Sequence, residues 1–279
     1  MGQLNKKGVS SPRNWNLPLN FVLKSFSNQI MPNLFLPERI IRVNTLDSTN
    51  SHALQLLKDT NPSGGTVVMA LNQTEGRGQQ TNIWESESGK NLTISLILRP
   101  DFILAQDQFQ VSMIISLGVS DYLNTYLKDV SVKWPNDIYV GDKKIAGILI
   151  EQSIMGAYLS HSVCGIGLNI NQDKFISDAP NPVSLNILTK KEYDLEVELQ
   201  KLLAAIENRY FQLFNQGAEV LEQDYLKSLY WINEEHSFRD DEGPFLGKII
   251  GISEFGQLQI EDEQKKIRTY NFKEVSFLK

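Results

Sequence analysis

The run KWPNDIYVGDKKIAGILIE, Lys133 to Glu151, decides how this chain is read, together with the shorter block Glu75-Gly76-Arg77-Gly78-Gln79-Gln80-Thr81-Asn82-Ile83-Trp84 upstream of it. In the longer run, Pro135 fixes a turn after a short strand, and Asn136 and Asp137 follow it. Lys144 comes seven residues after Asp137, at the start of an apolar strand where a buried site can use one cation. The bland alternative is a solvated hairpin lysine: Lys143 is adjacent, and neighbouring strand residues point to opposite faces, so one of the two must face away. In the shorter block two glycines flank Arg77 after the β-rich stretch Thr66 to Leu71. Glycine lets backbone N–H groups close on an anion, and Arg77 adds a planar fork for a carboxylate or phosphate. Alone, a Gly-x-Gly loop is more often an ordinary turn.

Around these blocks the chain reads as mixed α and β. Ser48 or Thr49 can cap a helix carrying Ala53, Leu54, Leu56 and Leu57 that stops near Asn61-Pro62. Strands are expected at Thr66 to Leu71 and Leu92 to Leu98, and a long helix from about Gln106 to Leu127. Strands follow at Ser131 to Trp134, Ile138 to Val140, Lys144 to Met155 and Ala157 to Leu168, the last two joined as a hairpin near Gly156. Asp194 to Tyr230 reads as helix broken near Gly217, and the last forty or so residues as short β segments forming a small barrel.

Composition bounds the function. With 279 residues, 41% of them hydrophobic, the chain can bury a sizeable core in one large domain plus a small one. No apolar run reaches the eighteen or so residues of a membrane helix, so no membrane association is expected. Cys164 is the only cysteine, which excludes an intramolecular disulfide and suits a reducing cytoplasm. His52, His161 and His236 are scattered, so no protein metal site is expected. The formal net charge of −6 disfavours nucleic acid as the main partner. Met1 to Pro37 has no Asp or Glu but carries Lys6, Lys7, Arg13 and Lys24. We read residues 1–35 as a basic extension, disordered or mis-started, with Met31 as a candidate start; Leu17 to Leu23 is short for a signal segment.

More than these two blocks matches one family: the chain resembles the biotin protein ligases. The family's Ser-Thr-Asn triplet is Ser48-Thr49-Asn50, and its glutamine before the glycine loop is Gln73. The pattern continues through Ser86, Gly89, Asn91, Leu92 and Ser95, and the family's Gly-Ile-Gly-Leu-Asn is Gly165 to Asn169. The resemblance implies an α+β fold: a mixed-sheet catalytic domain like that of class II aminoacyl-tRNA synthetases over residues 36–236, and an SH3-like barrel over 237–279. It implies ATP, Mg2+ and biotin as the small molecules, biotinyl-5'-AMP as the intermediate, and a lysine of a biotin carboxyl carrier protein of acetyl-CoA carboxylase as acceptor. Some family members add a DNA-binding winged helix, for which no room is expected here. A monomer or weak homodimer is expected. Lipoate or octanoate ligation is the nearest alternative, although that family's Gly-rich motif with adjacent arginines is absent; a biotin-dependent regulator and a catalytically silent biotin binder are the others.

The same resemblance assigns roles. Lys144, Arg77 and Asp137 are the catalytic candidates: two anions repel unless fixed cations lie between them, and Asp137 is to orient the acceptor amine. The bland alternative for Asp137 is a cap on the Pro135 turn. Ser48, Thr49, Asn50, Gln73, Gly76, Arg77, Lys144 and Gly147 are expected on biotin, whose ureido group needs hydroxyl and amide partners. Simple helix capping is the competing reading of Ser48 and Thr49. Gly78, Gln79, Trp84, Asn136 and Asn169 are expected on the adenylate, though a lone tryptophan is more often a core anchor. The fullest family loop carries further arginines and a third glycine where this chain has Gln79, Gln80, Thr81 and Asn82. Faster leakage of the adenylate is expected to follow.

Overall fold

Alternation of apolar residues along the strands builds two sheets in the computed structural model, which describes residues 33–79, 82–176 and 181–278. The larger sheet has seven strands: β1 (Ile40–Leu46), β2 (Thr66–Gln73), β3 (Leu92–Leu98), β4 (Val130–Lys133), β5 (Asp137–Val140), β6 (Lys143–Met155) and β7 (Tyr158–Leu168). Their order is β1-β2-β3-β7-β6-β5-β4. Of these pairings only that of β1 with β2 is parallel, so the sheet is mixed. The extension's residues 1–32, including Met31, lie outside the described residues.

The helices divide between the two faces. On one face α2 (Phe109–Asn124), α4 (Leu195–Gln216) and α5 (Ala218–Ser228) cover the main core, to which β3 gives Leu92, Ile94, Leu96 and Leu98 and β7 gives Cys164, Ile166 and Leu168. Helices α2 and α4 meet at Gly118, where an added Cβ would lie 2.7 Å from Ile206 Cα. On the other face α1 (Thr49–Asp59) buries Ala53 against Val68, Ile97 and Val163. Ser48 stands at the N-cap position of α1 but its side chain does not cap, so the hydroxyl is not used as helix propensity alone suggests. Asp194 does cap α4, accepting from Glu196 N and Val197 N, and Gly217 at φ +81° separates α4 from α5 as expected. The short helix α3 (Leu185–Thr189) and strand β1 were not foreseen.

The C-terminal segment forms a five-stranded antiparallel sheet from β8 (Glu235–Asp240), β9 (Gly243–Ile252), β10 (Leu258–Asp262), β11 (Ile267–Tyr270) and β12 (Ser276–Phe277), ordered β11-β10-β9-β8-β12. It begins at Glu235, two residues before the expected boundary. It is packed onto the first sheet: Trp134 Nε1 donates to Gly256 O at 2.8 Å, and Phe238, Ile249, Leu258 and Ile260 belong to the same apolar core as the large domain. Gly256, at φ +79°, seats its backbone on the Phe109 ring with no room for a side chain.

Candidate functional site

A cleft of about 540 Å³ opens on the α1 face of the large sheet and reaches the C-terminal sheet. Glycines clear its floor. Strand alternation puts Gly165 and Gly167 of β7 on the same face as Val163, and pairing sets Gly167 opposite Gly147 and Gly165 opposite Leu149. A Cβ on Gly167 would fall on the Trp84 indole, 2.5 Å from Nε1; one on Gly147 would lie 3.0 Å from Trp84 Cζ3; one on Gly165 would lie 2.9 Å from Asn50 Cγ. The three positions therefore make room for the Trp84 ring and the Asn50 amide. Trp84 Nε1 and Gln79 Oε1 are buried with no hydrogen-bond partner among the described residues, as expected of groups that await a polar ligand or water.

The start of α1 brings Ser48, Thr49 and Asn50 to the cleft, each almost wholly buried. Thr49 N donates to Gln73 Oε1 at 2.8 Å, with Thr49 Oγ1 3.1 Å from the same oxygen. Ser95 Oγ lies 2.8 Å from Thr49 Oγ1 and 2.6 Å from Asn50 Oδ1. Asn50 Nδ2 donates to Leu149 O at 3.2 Å and to Glu151 Oε2 at 2.9 Å. Hydroxyls and amides of this kind, locked by one another, offer fixed donors and acceptors to a polar ligand head.

Lys144 reaches the cleft because of a bulge. Ile138 pairs with Ala146 but Tyr139 pairs with Lys144, so Ile145 is an extra residue on β6. Ile145 and Ala146 both turn into the core, and the alternation restarts with Lys144 on the cleft side. Lys143 is exposed, as the either-or reading of the two lysines required. Lys144 Nζ lies 2.7 Å from Asp137 Oδ1, with about a fifth of the lysine side chain and a quarter of the aspartate accessible. It is also 5.9 Å from the centre of a Trp84 ring. The Asp137 carboxylate thus turns to Lys144 rather than serving only the turn at the cis Trp134-Pro135 bond. Tyr139, two residues on in the strand, has its phenol pushed up to about 12, by burial first and then by the charges of Asp137 and Asp142.

The two arms of the glycine loop pair with each other. Gly78 N donates to Asn82 O at 2.8 Å and Trp84 N to Gly76 O at 2.9 Å. The Gly78 amide is therefore committed within the loop rather than aimed at an anion, and a side chain on Gly76 would overlap the Trp84 carbonyl oxygen. Arg77 Nη2 lies 3.2 Å from Glu151 Oε1. Gln80 and Thr81 lie outside the described residues.

Of the residues expected from sequence, Ser48, Thr49, Asn50, Gln73, Arg77, Gly78, Gln79, Trp84, Asn136, Asp137, Lys144 and Gly147 all line this one cleft. Asn136 faces it while its amide donates to Ile148 O. Gly76 acts beneath it, through the backbone. Asn169 does not line it: its Nδ2 donates to Val183 O at 3.0 Å, and Val183 N in turn donates to Lys144 O at 2.9 Å. The asparagine expected on the adenylate instead fixes the segment that pairs with the Lys144 backbone. Further lining comes from Lys133, whose Nζ sits 5.0 Å from the Tyr139 ring centre and 4.9 Å from that of Phe277, and from Phe272, Lys273, Val275, Ser276 and Phe277 of the C-terminal segment.

Residues 43–169, which carry most of this cleft, match the Biotin/lipoate A/B protein ligase family. The bifunctional ligase/repressor BirA of Bacillus subtilis is 31% identical over 238 residues, covering 82% of this chain and 72% of that protein. The biotin–[acetyl-CoA-carboxylase] ligase of Paracoccus denitrificans is 30% identical over 76% of this chain and 90% of its own length. The chain belongs to the biotin protein ligase family. Its fold is that of the biotin protein ligase of Aquifex aeolicus solved with biotin and ATP, at a TM-score of 0.69 and 27% identity over 85% of this chain and 97% of that one. The mixed sheet with a C-terminal antiparallel sheet is accordingly the family's catalytic architecture. Among the described residues no helix is long and apolar enough to cross a membrane.

Proposed function

We infer that this cleft joins biotin to ATP and passes the biotinyl group on: the chain is a biotin protein ligase, ATP-dependent and AMP-forming. The observation that carries this reading is the convergence of Arg77 and Lys144 with the hydroxyl and amide set of Ser48, Thr49, Asn50 and Gln73 in one glycine-floored cleft. A biotin carboxylate oxygen attacks the α-phosphorus of ATP; the new O–P bond forms as the bond to pyrophosphate breaks. Ground-state repulsion between those anions is offset by Arg77 and Lys144, placed in the cleft before substrate arrives. The Thr49 and Gln73 pair with Ser48 receives the ureido group, and the Trp84 indole, with its unpartnered Nε1, covers the biotin tail or adenine. Lys133 and Lys273 are two further cations lining the cleft, and we place them toward the pyrophosphate.

In the second step an acceptor lysine amine attacks the biotinyl carbonyl carbon, forming the amide bond while AMP leaves. Asp137 orients that amine and takes its proton, with Lys144 beside it to hold the phosphate. The acceptor is the biotin carboxyl carrier domain of acetyl-CoA carboxylase. Magnesium would be held by the nucleotide phosphates and offset their charge, since among the described residues Asp137 is the sole carboxylate lining the cleft and it is bonded to Lys144. We place the enzyme in the cytoplasm, as a monomer or weak homodimer, with no nucleic-acid partner.

The test is mass-detected transfer from biotin, ATP and magnesium to a carrier domain, with lipoate and octanoate as rival acids and Lys144→Ala as control. Biotin-selective, Lys144-dependent modification of one acceptor lysine is expected. Equal use of octanoate or lipoate would move the assignment to the sister activity, and biotin binding without adenylate would make the chain a silent binder.

A further inference from the structure

Glu151 touches both halves of the site. It stands on β6 two residues beyond Leu149, on the cleft face by strand alternation, and its two carboxylate oxygens are divided. Oε1 takes Arg77 Nη2 at 3.2 Å, on the adenylate side; Oε2 takes Asn50 Nδ2 at 2.9 Å, on the ureido side. Proton counting extends the connection. Asn50 uses its two N–H bonds on Glu151 and Leu149 O, so its buried Oδ1 needs a donor, and the single Ser95 hydroxyl proton at 2.6 Å supplies it. Ser95 Oγ also lies 2.8 Å from Thr49 Oγ1, and Thr49 holds Gln73 Oε1 through its amide at 2.8 Å and its hydroxyl at 3.1 Å. A single chain of hydrogen bonds thus runs Arg77, Glu151, Asn50, Ser95, Thr49, Gln73.

We propose that Glu151 is a positioning residue for the ligation reaction: it tethers the Arg77 guanidinium to the rigid sheet while orienting the Asn50 end of the biotin site. The inference rests on the biotin-ligase reading above. Only Nη2 of Arg77 is engaged by Glu151, which leaves the rest of the planar fork for an adenylate phosphate. An arginine held in this way keeps a fixed grip on the adenylate phosphate, so Glu151 acts on how long biotinyl-AMP stays bound. Since Arg77 and Glu151 are about half and a third accessible, the tether is a screened ion pair, and its effect is expected to fade with salt.

Glu151→Gln separates the two duties, because the amide oxygen still serves Asn50 Nδ2 while the ionic grip on Arg77 is lost. Preformed biotinyl-AMP is chased from wild type and variant in about 0.05 and about 1 M salt, biotin affinity is measured separately, and limited trypsin digestion reports cleavage after Arg77 without any substrate. The variant is expected to release biotinyl-AMP about fivefold faster, equivalent to about 1 kcal/mol and the upper end for a part-exposed pair. The gap should close at high salt, biotin affinity should stay within about twofold, and cleavage after Arg77 should quicken. Unchanged release and unchanged cleavage in a variant that still makes adenylate would overturn the tether alone. Biotin affinity falling by the same factor as adenylate retention would reduce Glu151 to a packing role. Failure of wild type itself to form biotinyl-AMP would instead bring down the ligase reading and this proposal with it.

Discussion

Replacing Asp137 by asparagine should split the two half-reactions. The carboxylate sits 2.7 Å from Lys144 Nζ in a pair about a fifth to a quarter accessible, so it has one cation to hold and one proton to receive. Adenylate formation moves no proton from substrate to enzyme, and the asparagine amide would still offer an oxygen to Lys144; that step is expected to change by no more than about threefold, about 0.7 kcal/mol. Transfer differs, because an acceptor lysine with an ordinary value near 10.4 is neutral about once in 2,500 encounters at pH 7, a handicap of about 4.6 kcal/mol. A positioned base recovers about 10² to 10⁴ in rate, and partial solvent access at this pair favours the lower end, so transfer should slow about 10²-fold, about 2.7 kcal/mol. Single-turnover mixing of preformed enzyme-bound biotinyl-AMP with carrier domain measures the second step, and pyrophosphate release measures the first. An equal loss in both would mean that Asp137 merely holds Lys144 in place, and unchanged transfer would refute its part in the proton movement.

Gly167→Ala puts a methyl on the Trp84 indole, 2.5 Å from Nε1, and should displace the ring: its fluorescence should shift to the red and biotin affinity fall at least about tenfold, about 1.4 kcal/mol, while an unchanged spectrum would disprove the packing. Gln79→Arg should slow escape of biotinyl-AMP in the chase assay by adding a cation to the loop, and equal retention would show that Gln79 is not what limits it. Glu198 makes stability pH-dependent. Burial alone would raise its carboxyl, but hydrogen bonds from Tyr126, Tyr122 and Lys201 outweigh burial and hold it below the ordinary value. A depressed folded value means stability that is present above the unfolded value near 4.3 and lost as pH falls through the folded one. Denaturant midpoints should drop more steeply below about pH 4.3 in wild type than in Glu198→Gln, and parallel curves would refute this.

Much of this architecture was legible because local chemistry and global packing agree. The apolar run in Leu92–Leu98, the helix break at Gly217 and the hairpin at Gly156 need only neighbours in sequence. The candidate site was legible where composition is unusual: a lysine entering an apolar strand and an arginine between glycines. Lys144 shows the limit. Strict alternation from Ile148 and Ala146 would send it into the core, and only the extra residue Ile145 returns it to the cleft, a register event invisible to periodicity. Asn169 shows a different limit. Its motif marks it as part of the site, yet the amide bonds Val183 and acts on the Lys144 backbone, because a residue just past a strand's end can face away from the cleft its neighbours floor.

The C-terminal sheet was legible as a unit but not as a wall of the site, because its contribution depends on contacts between residues more than a hundred positions apart. Trp134, near the start of the decisive run, anchors its indole N–H on Gly256 O, and Lys133, one residue earlier, lies between the Tyr139 and Phe277 rings. Two neighbouring residues of β4 and its turn thus bind the small sheet and face the cleft at once. A cation held against aromatic faces keeps its charge while losing mobility, so the position of Lys133 depends on how β12 is seated. Disturbing the seat of the small sheet, as an alanine at Gly256 would do against Phe109, should therefore weaken ATP binding without any change to a residue that touches ATP. A Gly256→Ala enzyme that folds and binds ATP as wild type does would show that the two sheets, though packed on one core, act independently.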